Sequence, residues 1–78
     1  MGHLLNESIR AETDASGRLT AYEWRGARYT VRQVLKAYGE ADDARIYRVR
    51  VQGEDSSVAV AELARAADHW RLRHLFSA

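Results

Sequence analysis

Four glycines cut this chain into lengths that suit short strands. Gly17, Gly26, Gly39 and Gly53 are spaced by 9, 13 and 14 residues, close to the rhythm of strands joined by tight turns. Between them, apolar and polar residues alternate. Arg45 to Gln52 is the clearest strand: Tyr47, Val49 and Val51 share one face, and Ile46, Arg48 and Arg50 the other. Trp70 to Phe76 repeats the pattern, with Trp70, Leu72 and Phe76 set against Arg71 and Arg73. A first strand is predicted over Ser8–Thr13 and a second over Leu19–Arg25. Proline is absent, and there is no internal repeat or low-complexity linker.

The turns carry their own chemistry. In Asp14-Ala15-Ser16-Gly17, Asp and Ser can bond their own backbone and Gly can take positive φ. Gly53-Glu54-Asp55-Ser56 reads as a second polar turn, and Glu40–Ala44 as an acidic loop. Gly26-Ala27 suits a two-residue hairpin with Gly first. That register sets Trp24 opposite Tyr29 and Tyr22 opposite Val31, gathering four large side chains on one face.

Two segments stay open. Val31, Val34, Leu35 and Tyr38 follow a helical spacing, so residues 32–38 form either a short helix ending at Gly39 or a bulged strand. The alanines of Val58–Ala67 favour a helix, while its place between two turns favours a strand. The predicted core joins Trp24, Tyr29, Val31, Tyr47, Val49, Leu72 and Phe76.

With 78 residues there is room for one domain, spanning 1–78, whose first six residues read as a frayed terminus. A chain this short buries only roughly 60% of its unfolded surface, and without cysteine it has no disulfide or thiolate zinc site to staple it. Lack of cysteine fits a reducing compartment. No apolar run reaches the roughly 18 residues a membrane helix needs. Met1 to Leu5 lacks a basic flank and an apolar stretch of leader length. The expected location is the cytoplasm, with no membrane partner.

The segment YEWRGARYTVRQVLKAY, Tyr22 to Tyr38, resembles the signature of a family of small bacterial β domains of unknown function. That signature runs aromatic-x-Trp-Arg-Gly-x-x-Tyr-x-Val-x-x-Val-Leu-x-x-aromatic. IYRVRV is similar to the family's next strand, and VAELAR with WRLRHLF to its final hairpin. The resemblance covers Arg18 to Phe76 and consists of packing and turn motifs. It implies a strand at Val58–Ala67. Some members occur near proteins similar to Y-family translesion polymerases, which implies a link to DNA repair. Ala61, Ala64 and His74 stand where the family often carries aromatics, so no stacking role is carried over there.

Catalytic and metal chemistry find no footing in the pattern. His69 and His74 are five apart in a predicted strand, which sets them on opposite faces, and zinc needs three or four convergent ligands. Glu23 and Glu62 read as acids within strands, suited to cross-strand ion pairs. Ser8, Ser16, Ser56, Ser57 and Ser77 sit at turns or ends, outside any nucleophile elbow. There is no phosphate loop or dinucleotide fingerprint. The expectation is a non-enzymatic protein without cofactor or metal.

What stands out is arginine. Net charge is only +1, yet eleven of the twelve basic residues are arginine, Lys36 being the exception. Arg25, Arg28, Arg32, Arg48, Arg50, Arg71 and Arg73 fall in or beside strands, opposite the core positions. Most acids fall in turns: Asp14, Glu40, Asp42, Asp43, Glu54, Asp55 and Asp68. A single sheet would therefore have a locally basic outer face able to follow a phosphate backbone. The alternative is a solvated face whose arginine stems cover apolar surface.

The predicted fold is all-β: a small antiparallel sheet of five or six strands, curled into an SH3-like half-barrel. The predicted function is an accessory domain that binds DNA or RNA through those seven arginines, with a DNA-repair association. The competing prediction is a protein-interaction or homodimerisation module that uses an exposed sheet edge, a repair protein being one such partner.

Overall fold

A computed structural model describes residues 2–39, 44–67 and 69–77, of which residues 2–4 and 77 by backbone alone. Most of the acidic loop, Glu40–Asp43, and Asp68 lie outside the described residues. The rest is all-β. Six strands follow in order: β1 (Gly2–Thr13), β2 (Leu19–Trp24), β3 (Ala27–Gly39), β4 (Arg45–Gln52), β5 (Val58–Ala66) and β6 (His69–Ser77). Each pairs antiparallel with the next, and β1 also pairs with β6, closing a barrel. The predicted half-barrel is thus a closed small barrel of the SH3-like sort.

Closure depends on β1, which begins at Gly2, earlier than the alternation at Ser8 predicts and within the stretch read as frayed. Its first part pairs with β6 and its last with β2, and the register shifts between Leu4 and Glu7. Asn6 sits in that shift with φ of 58°. Asparagine tolerates the left-handed region better than most residues, and a bulge bends a strand.

No helix occurs among the described residues. Residues 32–38 are a bulged strand, and the bulges explain the helical spacing. Register on β4 skips Arg32 and Leu35, so Val31, Val34 and Ala37 meet Val51, Val49 and Tyr47 in turn. Each extra residue stretches the inward repeat from two to three. Val58–Ala66 is a strand, paired antiparallel with β6 despite its alanines.

The β2–β3 turn is Arg25-Gly26, with φ of 51° and 79°, not Gly26-Ala27. Two positive φ values fit a type I′ turn, whose twist matches the strands. Tyr22 accordingly faces Tyr29, with ring centroids 5.2 Å apart, and Trp24 faces Ala27. The shift is two residues, so every side chain keeps its predicted face.

The barrel is filled by Tyr22, Val49, Val51, Ala61, Leu63 and Leu72, all fully buried. Trp24, Tyr29, Val31 and Tyr47 pack on them half-buried. Phe76 does not. Between β5 and β6 the register jumps from Glu62–His74 to Leu63–Leu72, which leaves Arg73 as an extra residue. Beyond it the faces exchange: Leu75 packs on the core, while Phe76 stacks on His74 at 5.8 Å. The same bulge puts His69 and His74 on one face, not opposite ones, because their partners Ala66 and Glu62 are four residues apart on β5. Four strand residues still separate them by roughly 13 Å.

Candidate nucleic-acid interface

Arg28, Arg48, Arg50 and Arg71 take outward strand positions, as the alternation predicts, but the barrel distributes them around its wall. Arg32, Arg48 and Arg50 come together across β3 and β4. Arg50 lies opposite Gln33, Arg48 opposite Lys36, and Arg32 is the bulged residue beside them. Arg71 stands apart. It is level with Ala64 while Arg50 is level with Val60, so the two are roughly 10 Å apart across the strands and 13 Å along them. Arg25 and Arg28 belong to the β2–β3 hairpin on another side of the wall.

Their partners differ as well. Arg25 donates through Nε and Nη2 to Glu7 and lies 4.6 Å above the Trp24 ring. Arg28 forks onto Glu12 at 2.9 and 3.0 Å. Each of these guanidinia sits with its acid, and each acid is held below the usual carboxylate range by that arginine's hydrogen bonds first. Glu7 and Glu12 are acids the sequence reading misses as partners. Glu23, though level with Arg28, makes no hydrogen bond or ion pair among the described residues. Arg50 and Arg71 bond to neutral acceptors: Arg50 to Gln33 Oε1 at 2.8 Å, and Arg71 to Asn6 Oδ1 and the Asn6 carbonyl, each at 2.9 Å. Their charge is held in place but not neutralised. Arg32 is exposed and has no ion pair among the described residues. Arg73 occupies the β6 bulge and is half-buried.

Arg48 is tied to a buried carboxylate. Glu62 is outward on β5 yet only 5% exposed. Arg48 Nη2 lies 3.1 Å from it, His74 Nδ1 3.2 Å, and the Tyr38 hydroxyl donates at 3.4 Å. Burial pushes the Glu62 carboxyl up, but the hydrogen bonds and charges of Arg48 and His74 together outweigh it and leave the group below its ordinary range. The Arg48 guanidinium also lies 5.5 Å from the Phe76 ring. Removing Arg48 would strand a buried charge, so its first role is structural.

The wall has a partly open seam. β2 pairs with β3 only as far as Thr30, so residues 31–39 bond to β4 alone. Val34 and Leu35 on that stretch are 49% and 39% exposed. Two bulges, Arg32 and Lys36 also lie there, features that discourage a further strand from adding.

The barrel's two ends differ. The end bounded by the β1–β2 and β5–β6 turns holds a cavity of about 440 Å³, lined by Gly17, Arg18, Leu19, Val34, Tyr47 and Trp70. The opposite end has a smaller one of about 240 Å³ beside Tyr29 and the 53–57 turn. No group of three or more His, Cys, Asp or Glu suited to a metal ion occurs among the described residues. Comparison with protein-family models, curated proteins and solved structures finds no match to this chain.

Proposed function

We propose that this chain is a non-enzymatic nucleic-acid-binding module that holds phosphates with guanidinium groups on the outer wall of its barrel. The observation that carries the reading is the division among the arginines. Arg25, Arg28 and Arg48 are each paired with an acid, whereas Arg32 and Arg50 sit side by side with their charge uncompensated by any described acid. Such charge attracts polyanions by releasing their counterions. Of the seven arginines, Arg32 and Arg50 are therefore the expected centre, with Arg71 an outlying contact. A cytoplasmic setting fits the lack of cysteine, and a bacterial DNA-repair role rests on the sequence resemblance alone. The competing interaction module is favoured by one feature, the half-open edge of β3 with Val34 and Leu35 exposed.

A salt titration separates the two. Binding to DNA should fall as salt rises, each phosphate contact contributing about 0.9 to the log–log slope on duplex and about 0.7 on single strands. Arg32→Glu with Arg50→Glu should weaken binding far more at low than at high salt. Absence of binding to either form at about 50 mM salt, where phosphate contacts are strong, would refute the reading. A concentration-dependent dimer abolished by Val34→Glu would support the β3 edge instead.

A further inference from the structure

We propose that the larger mouth of the barrel takes one unstacked base of a single-stranded nucleic acid, with arginines on its rim holding the adjoining phosphates. The inference rests on the nucleic-acid reading and names its substrate class. The floor is apolar and aromatic: Tyr47 and Trp70 lie 5.4 Å apart at 34°, beside Leu19 and Val34. Val34 is 49% exposed, an apolar side chain left uncovered at the opening. A hollow of about 440 Å³ falls in the range of small-molecule sites.

The rim gives the ligand its charge. Arg45 and Arg65 face each other directly across β4 and β5, and Arg65 is level with Trp70. Both share the inward parity of Tyr47 and Leu63, so they crown the interior, not the wall. The Arg65 guanidinium lies 5.5 Å from the Trp70 ring, and Arg18 lines the hollow. Like charges directly opposite on adjacent strands are destabilising. Neither Arg45 nor Arg65 has an ion pair among the described residues, and Arg18 meets the Asp14 carboxylate through its backbone amide while its guanidinium forms no ion pair among the described residues.

An aromatic hollow alone would suit a quaternary or methylated ammonium. Among the described residues, Arg18 in the lining and Arg65 over the Trp70 ring favour an anion that carries a flat ring over a cation. A nucleotide unit has both parts. In a duplex the base is stacked and paired and must be extruded at a cost, so a single strand presents it far more readily.

The test uses the intact chain with three labelled probes of equal length: a thymidine single strand, its blunt duplex with an adenine strand, and an abasic single strand. At about 50 mM salt the thymidine strand should bind tightest. Loss of one base–aromatic stack weakens binding roughly tenfold to a hundredfold, so Trp70→Ala should reduce thymidine-strand binding by that factor and leave abasic binding unchanged. Because Trp70 also packs on the core, Arg65→Glu gives a second readout on an exposed residue. It should lower the single-strand salt slope by about 0.7 per lost contact. Equal binding of all three probes, insensitive to Arg65→Glu but lost with Arg32→Glu and Arg50→Glu, would overturn the mouth and leave the outer wall standing. No binding of any probe would overturn both. Tighter capture of a phosphotyrosine peptide at the mouth would assign it to protein ligands and overturn the proposal.

Discussion

Ser56 shows how a single residue can be read from its twin. The β1–β2 and β4–β5 turns have the same backbone plan. Asp14 N–H donates to the Arg18 carbonyl and Gly53 N–H to the Ser57 carbonyl; Gly17 N–H donates to Asp14 and Ser56 N–H to Gly53. This is the three-residue hairpin loop, a type I turn followed by a left-handed residue. The left-handed place is held by Gly17 at φ of 86° in one turn and by Ser56 at 68° in the other. A Cβ there is strained by roughly 1–2 kcal/mol. An aspartate braces each loop: Asp14 accepts from the Ser16 and Arg18 amides, and Asp55 from the Ser57 amide and hydroxyl. Ser56→Gly should therefore stabilise the domain by up to about 1 kcal/mol, the relieved strain exceeding glycine's greater freedom when unfolded. Gly17→Ala should destabilise it by a similar amount. Chemical denaturation of both variants checks this, and opposite signs are required. These turns were legible because their chemistry is local. The Arg25-Gly26 turn was not, since arginine carries no mark of the left-handed conformation that it adopts there.

At the scale of elements, alternation revealed the strands and bulges obscured the faces. β4 carries no bulge between Arg45 and Gln52 in its pairing with β5, and its inward Tyr47, Val49 and Val51 were all legible. β3 has two bulges and imitates a helix; β6 has one, and it turns Phe76 outward. A bulge adds one residue of any type, so composition gives no warning of it. It follows that Leu72→Ala should cost about 2–5 kcal/mol, as for a filled core. Phe76→Ala should cost well under half of that, because its ring is half-buried beside His74 and Arg48 on the outer wall. Equal losses in urea would place Phe76 in the core after all. The site was legible to the same degree. Outward parity holds for Arg28, Arg48, Arg50 and Arg71, while Arg25 falls in a turn and Arg73 in a bulge, and the partners of Arg25 and Arg28 come from β1, whose long-range pairing no local pattern discloses. Arg45 and Arg65 escaped notice because they have core parity, and only the end of the barrel turns those positions into a rim.

For the molecule as a whole, the same ion pairs that quiet part of the basic wall make its stability depend on pH. Glu7, Glu12, Asp14, Asp55 and Glu62 all lie below their ordinary ranges when folded, through hydrogen bonds from Arg25, Arg28, Ser16, Ser57 and, for Glu62 against its burial, the hydrogen bonds and charges of Arg48 and His74. The sign follows from proton uptake. As pH falls through about 4, the unfolded chain protonates these groups first, at values near those of free side chains. The unfolded state then binds more protons than the folded one, so stability falls with pH. The contribution is fully present above the unfolded values and is lost as pH drops through the lower folded ones. Four of the five groups are at least partly open to solvent and screened by salt, whereas Glu62 is buried. Thermal unfolding between pH 7 and pH 3 should show a loss of stability concentrated below about pH 5, and high salt should reduce the share from the exposed pairs. Glu62→Gln should lower stability at pH 7, because Arg48 and His74 lose their carboxylate. It should also shrink the salt-resistant part of the loss on acidification. A melting temperature that stays level from pH 7 to pH 3, or a Glu62→Gln protein that matches the parent at both ends, would show that the buried carboxylate does not hold the β3–β6 wall together.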